Sequence, residues 1–228
     1  MNTKKIIGKI HGSRTLGAIF HSLESCLRKE LKDCDSVLDI GCGPSSPLQF
    51  CENVKYSVGV EPFKPYLEKS RRKKIHSEYI GKKIEALNFP DKSFDAVMMI
   101  EVLEHLPKSV GSKCLKKAEN WARKKIIVST PRGYWHQVQL DENPLQEHIS
   151  GWSIKDFKER GYVIRGLSGL KILRKESEDS SMGRDLLSPI RFRPKFFWFV
   201  ILSWSQIFTY FFPQFAFELF CVKKINKD

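Results

Sequence analysis

The chain has 228 residues, 41% of them apolar and 29% charged, which gives room for one sizeable domain with a full core and excludes a chain too polar to fold. Lys and Arg total 39 against 26 acidic residues, a formal net charge of +13 that favours polyanions such as nucleic acid or anionic lipid headgroups. The basic residues fall in short scattered clusters, such as Arg71 to Lys74 and Arg123 to Lys125, which reads as solvated helix ends rather than one binding stripe. The six cysteines form no C-x-x-C pair and no compact zinc spacing, so they read as reduced core thiols. The N-terminal "MNTKKIIGKIHGSRT" is basic, but its apolar run is too short for a signal peptide, and the expected compartment is the cytoplasm.

Apolar residues at 16, 19, 20, 23 and 27 predict a first helix, with Ser13 or Thr15 as its cap. Val37 to Ile40 is a short apolar strand that runs into a glycine turn and a brief helical stretch. "YSVGVE", 56–61, predicts the second strand, and "KPYLEKSRRKK" the next helix. Phe94 to Ile100 is nearly continuous apolar sequence, as in a central parallel strand. A basic helix is expected over about 108–123, then a strand over 125–130 stopped by Pro131. Strands alternate with helices from 37 to 130, which predicts a parallel sheet covered on both faces, with its ligand at the C-terminal strand ends. Further strands are expected over 161–169 and 216–224, and a mobile loop over 174–185.

The turn "DIGCGPSS" carries Gly41 and Gly43, which let the backbone turn tightly and approach a ligand. Ser45 and Ser46 stand where a dinucleotide loop would place a third glycine. Asp39, just ahead, would repel a pyrophosphate and attract a cation. Glu61 ends the second strand, where a carboxylate can accept both ribose hydroxyls. A ribose, a cationic group and no phosphate describe S-adenosylmethionine.

On these residues the chain resembles the class I S-adenosylmethionine-dependent methyltransferases, from about Val37 to Val163. "VLDIGCGPS" looks like the family's first motif and "VGVEP" the second. "IEALNFPDKSFDAV" resembles the adenine-wrapping segment, with Leu87 and Phe89 as contacts. "MMIEVLEHL" and "IIVSTPRG" resemble the fourth and fifth strands. The resemblance implies a Rossmann-like α/β fold, with a parallel-dominated seven-stranded sheet, helices on both faces and the last strand antiparallel between the fifth and sixth. It implies Asp39, Gly41, Cys42, Gly43, Glu61, Pro62, Leu87 and Glu101 as cofactor-binding residues. Lys83 departs from it, since many members carry an acid there for the adenine amino group. The expected organisation is an N-terminal helical segment over 1–34 and a methyltransferase domain over 35–228.

A sulfonium methyl is electrophilic without help from the protein, so the remaining tasks are alignment, exclusion of water and a base for a hydroxyl acceptor. His105, His136 and His148 are the candidate bases. The polar segment after the fifth strand should line the substrate side, with Tyr134, Trp135 and Gln146 as contacts. In "EVLEH", Glu101, Glu104 and His105 share a helical face. With His148 they form an alternative divalent-metal set, similar to that of the family's small-RNA 3′-terminal methyltransferases.

Residues 196–212 are almost wholly apolar or aromatic, with Pro194 before them and Pro213 after, inside a hydrophobic helical insertion at about 186–213. Seventeen residues sit at the short limit for crossing a bilayer, and a true span would carry the last strand away from its sheet. The segment reads as a surface-lying helix with Arg191, Arg193 and Lys195 at headgroups, or as a helix buried on the domain or between two copies. The expected activity is methyl transfer from S-adenosylmethionine to a polar small molecule, a sugar or lipid-linked intermediate. The alternatives are a metal-dependent RNA methyltransferase and a non-catalytic scaffold that uses residues 196–212.

Overall fold

A computed structural model describes residues 14–176, 187 and 189–225. Its centre is one seven-stranded sheet in the order β3-β2-β1-β4-β5-β7-β6. The strands are β1 (Ser36–Ile40), β2 (Tyr56–Val60), β3 (Glu78–Ile80), β4 (Phe94–Ile100), β5 (Ala122–Pro131), β6 (Val163–Leu170) and β7 (Ala216–Lys224). The first five pair in parallel, while β7 runs antiparallel to both β5 and β6. The expected topology, with its last strand between the fifth and sixth, is therefore present.

Both faces of the sheet are buried, and the sequence of β4 shows why. Ala96 and Met98 point into one core with Val37 and Ile127, while Val97 and Met99 point into the other with Leu38 and Val128. Side chains alternate across a strand, so apolar residues at every position require cover on both sides. Helix α4 (Lys108–Trp121) covers the second face through Leu115, Ala118 and Trp121, joined by Phe157 of α5 (Ile154–Lys158). Helix α2 (Leu23–Leu31) covers the first through Leu27 and Leu31. Lys125 Nζ ties α2 to β5 by donating to Glu30 O at 2.7 Å and Asp33 Oδ1 at 2.7 Å.

The single first helix expected from residue 16 is two helices. His21 has φ 49°, a left-handed conformation that ends α1 (Arg14–Ile19), and Ser22 caps α2 by accepting from Ser25 N at 3.3 Å. Ser13 and most of the expected mobile loop, its residues 177–185, lie outside the described residues. Helix α3 (Lys64–Lys73) follows β2 and packs through Tyr66 and Leu67. Helix α6 (Lys195–Phe211) connects β6 to β7 and lies across β6. Both ends of α6 feed strands of the same sheet, and no helix among the described residues is long and apolar enough to cross a membrane.

Candidate active site

At the end of β1 the chain turns through Gly41, φ 71°, and Gly43, φ 56°. The two glycines serve different needs. A Cβ on Gly41 would stand 2.5 Å from Val102 Cγ2, whereas one on Gly43 would meet nothing within 4 Å. Gly41 therefore permits packing, and Gly43 borders open space that a ligand can enter. Gly41 N and Cys42 N both donate to Val60 O, at 2.8 and 3.0 Å, which holds the loop against β2.

Glu61 locks this arrangement. Its Oε2 accepts from Gly43 N at 3.1 Å and its Oε1 from Phe63 N at 2.8 Å. Each carboxylate oxygen keeps further acceptor capacity, so Glu61 can hold the loop and still receive hydroxyl donors. Burial raises its pKa, while the two backbone bonds oppose the rise.

Asp39 is 2% exposed. Ser46 Oγ donates to its Oδ2 at 2.5 Å, and His76 Nε2 lies 3.3 Å from the same oxygen. Burial pushes Asp39 up to about 7; the Ser46 bond opposes this and the Glu61 charge adds to it. Burial pushes His76 down to about 4. Both shifts favour the neutral forms, so the pair is a polar contact rather than an ion pair. The His76 ring packs on Gly59, where a Cβ would stand 2.4 Å from its Cδ2.

These groups open into a cavity of about 610 Å³ at the C-terminal ends of β1, β2 and β4. Its walls include Asp39, Gly41, Cys42, Gly43, Glu61 and Pro62 on one side, and Glu101, Val102 and His105 on another. The connector after β5 closes it with Asn143, Leu145, Gln146 and Ile149. Trp152, fully buried, anchors that connector by donating from Nε1 to Leu103 O at 3.2 Å. Ile149 N and Ser150 N both donate to Glu104 O, at 2.9 and 3.0 Å. Tyr66 reaches across from α3, with its hydroxyl donating to Asp141 Oδ2 at 2.9 Å.

Beneath the cavity three carboxyl groups gather: Glu101, Glu104 and Glu218. Each has a hydroxyl donor, Ser129 to Glu101 at 3.0 Å, Thr130 to Glu104 at 2.9 Å and Ser168 to Glu218 at 2.7 Å. Burial is the first cause that raises all three, and the charge of Glu104 adds to the rise of Glu101. Glu101 touches cavity space, so it is accessible although protein surrounds it. Glu104 Oε1 is buried with no donor, and a proton shared with Glu101 would satisfy it.

His105 lines the cavity, and its Nδ1 lies 3.0 Å from Glu147 O. A carbonyl only accepts, so Nδ1 carries the proton and Nε2 is the free acceptor. His148 repeats the arrangement, with Nδ1 2.7 Å from Trp135 O, and the two rings lie 4.8 Å apart. Burial lowers both imidazoles, His148 to about 4. Glu104, His105 and His148 each offer a ligand atom, all within 4.8 Å of one another, while Glu101 falls outside that set.

Five residues expected at the site lie elsewhere. Leu87 belongs to the apolar core, and Phe89 beside it packs edge-on against Phe94 and Trp121. The cavity wall there is Lys82, Lys83, Ile84 and Glu85, held by Lys117 Nζ donating to Glu85 O at 2.9 Å and Leu87 O at 3.1 Å. Glu85 brings a carboxylate to the wall two residues after Lys83. Trp135 is buried between Phe217 and Lys171. Tyr134 is largely exposed and spends its hydroxyl on His148 O at 3.2 Å. His136 is not part of the cavity wall; its backbone N donates to Glu176 Oε1 at 3.4 Å. The expected substrate contact that does line the cavity is Gln146.

The sequence does not point to His76 or Glu218, and it marks Ser46 only as the place of an absent glycine, not as the donor to Asp39. Gly59 inside a buried strand was the available signal for His76, since a strand glycine often marks a close approach.

A family model described as a methyltransferase domain matches residues 38–126. No curated protein matches the chain. Among solved structures, an S-adenosylmethionine-dependent methyltransferase from Archaeoglobus fulgidus is 18% identical, covering 92% of this chain and 98% of that one, with a TM-score of 0.51. The plantazolicin methyltransferase BpumL, solved with S-adenosylhomocysteine, is 15% identical over 98% of this chain and 90% of that one, with a TM-score of 0.52. The methyltransferase domain of the bacterial protein CtHen1-C is 19% identical over 90% and 97%, also with a TM-score of 0.52. At these identities the likeness is one of fold.

Proposed function

We propose that the chain is a class I S-adenosylmethionine-dependent methyltransferase that methylates a polar small molecule, a sugar or lipid-linked intermediate, with His105 as the base. The cofactor is S-adenosylmethionine, and the residues present fit it. The space beside Gly43 is free of side chains, Glu61 keeps acceptor capacity for a ribose, and Asp39 offers negative charge to an amino group.

When bound, this cofactor supplies a methyl carbon made electrophilic by its sulfonium. The protein's part is position and proton. Glu61 and the glycine loop orient the ribose, and Asp39 attracts the amino group. The connector over 143–149 excludes water from the cavity. His105 Nε2 takes the proton that the acceptor hydroxyl loses as its oxygen bonds to carbon. The observation that carries this assignment is the cavity-lining His105, with its Nδ1 proton fixed on Glu147 O and burial holding it neutral. Gln146 and Asn143 are the acceptor contacts.

Labelled methyl transfer into fractionated extract, sorted into RNA, lipid, protein and small molecules, tests the acceptor class. His105→Ala should lose transfer on the order of 10²- to 10⁴-fold while calorimetry shows retained cofactor binding. Unchanged transfer removes His105 from the chemistry. No cofactor binding by the parent chain would favour a scaffold.

A second reading is supported by the cluster of Glu104, His105 and His148. Both imidazoles commit Nδ1 to a carbonyl, which leaves each Nε2 free, and Glu104 Oε1 lacks a donor. Ligating histidines commonly hold their second nitrogen in this way. In that reading the site takes a divalent cation and the acceptor is an RNA 3′ end. Metal analysis of purified protein decides it: no bound metal and full activity in chelator leave His105 as the base.

A further inference from the structure

Helix α6 is apolar on both sides, inward through Trp198, Phe199, Ile201 and Leu202 against Leu173 and Ile190, and outward as well. Its inward positions include Leu202, Gln206 and Thr209, all buried. Two of the polar side chains on the inward side, Ser205 and Gln206, bond the edge strand, while Thr209 Oγ1 donates to Gln206 O within the helix at 3.3 Å. Gln206 Oε1 accepts from Gly169 N at 2.8 Å, its Nε2 donates to Gly166 O at 3.3 Å, and Ser205 Oγ accepts from Leu170 N at 3.0 Å. Ser205 and Gln206, which interrupt the apolar run, thus serve the β6 backbone, while Ser203 Oγ donates back to Phe199 O within the helix at 2.8 Å. The outward face is apolar: Phe196 is 65% exposed, Phe197 55%, Trp204 62% and Phe211 57%. Val200 and Phe208 continue the stripe at the same spacing.

A helix that needed only its own domain would turn these rings inward, so the face requires an occupant. Charge selects between the two candidates. Arg191 and Arg193 are exposed beside the first turn, Lys195 begins it, and no acidic residue occurs from 187 to 217. A second copy would bring another net charge of +13 to this one, whereas an anionic lipid surface neutralises it. Trp204 within the stripe suits the boundary between headgroup and acyl chain.

The cations also lie on the ligand edge of the sheet. β6 runs in the same direction as β5, because each is antiparallel to β7. Just past the end of β6, Arg191 N donates to Leu173 O at 2.9 Å, and Lys171 Nζ donates to Arg132 O in the connector after β5.

We propose that α6 lies flat in an anionic lipid surface, with its aromatic face among the acyl chains and Arg191, Arg193 and Lys195 at the headgroups. The sheet's ligand edge then faces the bilayer boundary.

The test is co-sedimentation of the full chain with vesicles of phosphatidylglycerol and phosphatidylcholine, against vesicles of phosphatidylcholine alone. Binding should appear on the anionic vesicles and weaken with salt. Arg191→Gln with Arg193→Gln should weaken it on the order of 25-fold, about fivefold for each cation removed. Phe196→Glu with Val200→Glu should abolish it. Both pairs should keep the parent's S-adenosylmethionine affinity by calorimetry, which separates lost docking from a damaged fold or a wrong cofactor. No sedimentation with either vesicle overturns the proposal. So does a dimer in light scattering that becomes a monomer in Phe196→Glu with Val200→Glu.

Discussion

At the ends of β1, β2 and β4 the chain buries polar groups, and along β6 it turns aromatic ones to the outside. Asp39, Glu61 and Glu104 are each under about a tenth exposed, while Phe196 and Trp204 are more than half exposed. Burying a carboxyl costs free energy, and so does wetting an aromatic ring. Single exceptions to the inside-outside rule carry little information, but contiguous ones carry a good deal. The cavity's carboxylates suit a cation and a ribose, and the outward rings of the helix suit an apolar phase. The contrast locates what each must bind.

The largest effect should come from the glycine that packs rather than the one that faces the ligand. Gly41→Ala forces a left-handed alanine, which costs about 1–2 kcal/mol, and drives a methyl into Val102, which costs about 1–3 kcal/mol more. Gly43→Ala meets no neighbour and should cost only the left-handed strain, about 1–2 kcal/mol. Urea unfolding of the two variants measures the difference. Equal losses would mean that Gly43 is also packed and does not border ligand space.

Glu61→Ala comes next. It removes acceptors for a ribose and for Gly43 N and Phe63 N. Charge-assisted bonds of this kind are worth about 1.5–3 kcal/mol, so cofactor affinity by calorimetry should fall roughly tenfold to a hundredfold. A smaller loss would mean that the loop, rather than the carboxylate, supplies the affinity.

The sequence made this half of the contrast legible because its elements are local. A glycine turn, an acid two residues before it and an acid at the next strand end lie within the short stretch from β1 to the end of β2, and strand alternation fixes where each points. The strands β4 and β7 were legible to the residue for the same reason. What the sequence hid depends on long-range packing. His76 reaches Asp39 only because Gly59 leaves room in the neighbouring strand. Leu87 was expected in the site, yet the aromatic cluster of Phe89, Phe94 and Trp121 draws its segment into the core and leaves Lys83 and Glu85 at the wall. Trp135 was misplaced because a buried tryptophan and a substrate-stacking one look alike in sequence. Helix α6 was legible as an apolar segment, but the inward roles of Ser205 and Gln206 were not, since their partners are backbone groups of the distant edge strand.

The buried acid also predicts a pH dependence. Asp39 sits at about 7 in the free protein, above the ordinary carboxylate value of 3.8. A raised folded pKa means that its contribution to folding stability is fully present at acid pH and is lost as pH rises through about 7. Binding a cationic amino group has the opposite sign, because it requires the carboxylate. Cofactor affinity should therefore rise about tenfold between roughly pH 6 and pH 8, with a proton released at the lower end. Asp39→Asn should bind weakly and flatten the profile. A flat profile in the parent chain would mean that Asp39 is already ionised before the cofactor arrives.

The smallest expected effect tests the other side of the contrast. If the rings of α6 face outward for an external partner, they hold up little of the fold. Phe196 is 65% exposed, and Phe196→Gln should change the free energy of unfolding by less than about 0.5 kcal/mol in lipid-free buffer. Cofactor affinity should not move, because the bonds that fix α6 run from Ser205 and Gln206 to the β6 backbone on its opposite side. A loss of several kcal/mol in urea unfolding would place Phe196 in a packed contact of the chain itself. The apolar stripe would then belong to the core, and the two ends of the sheet would no longer differ in kind.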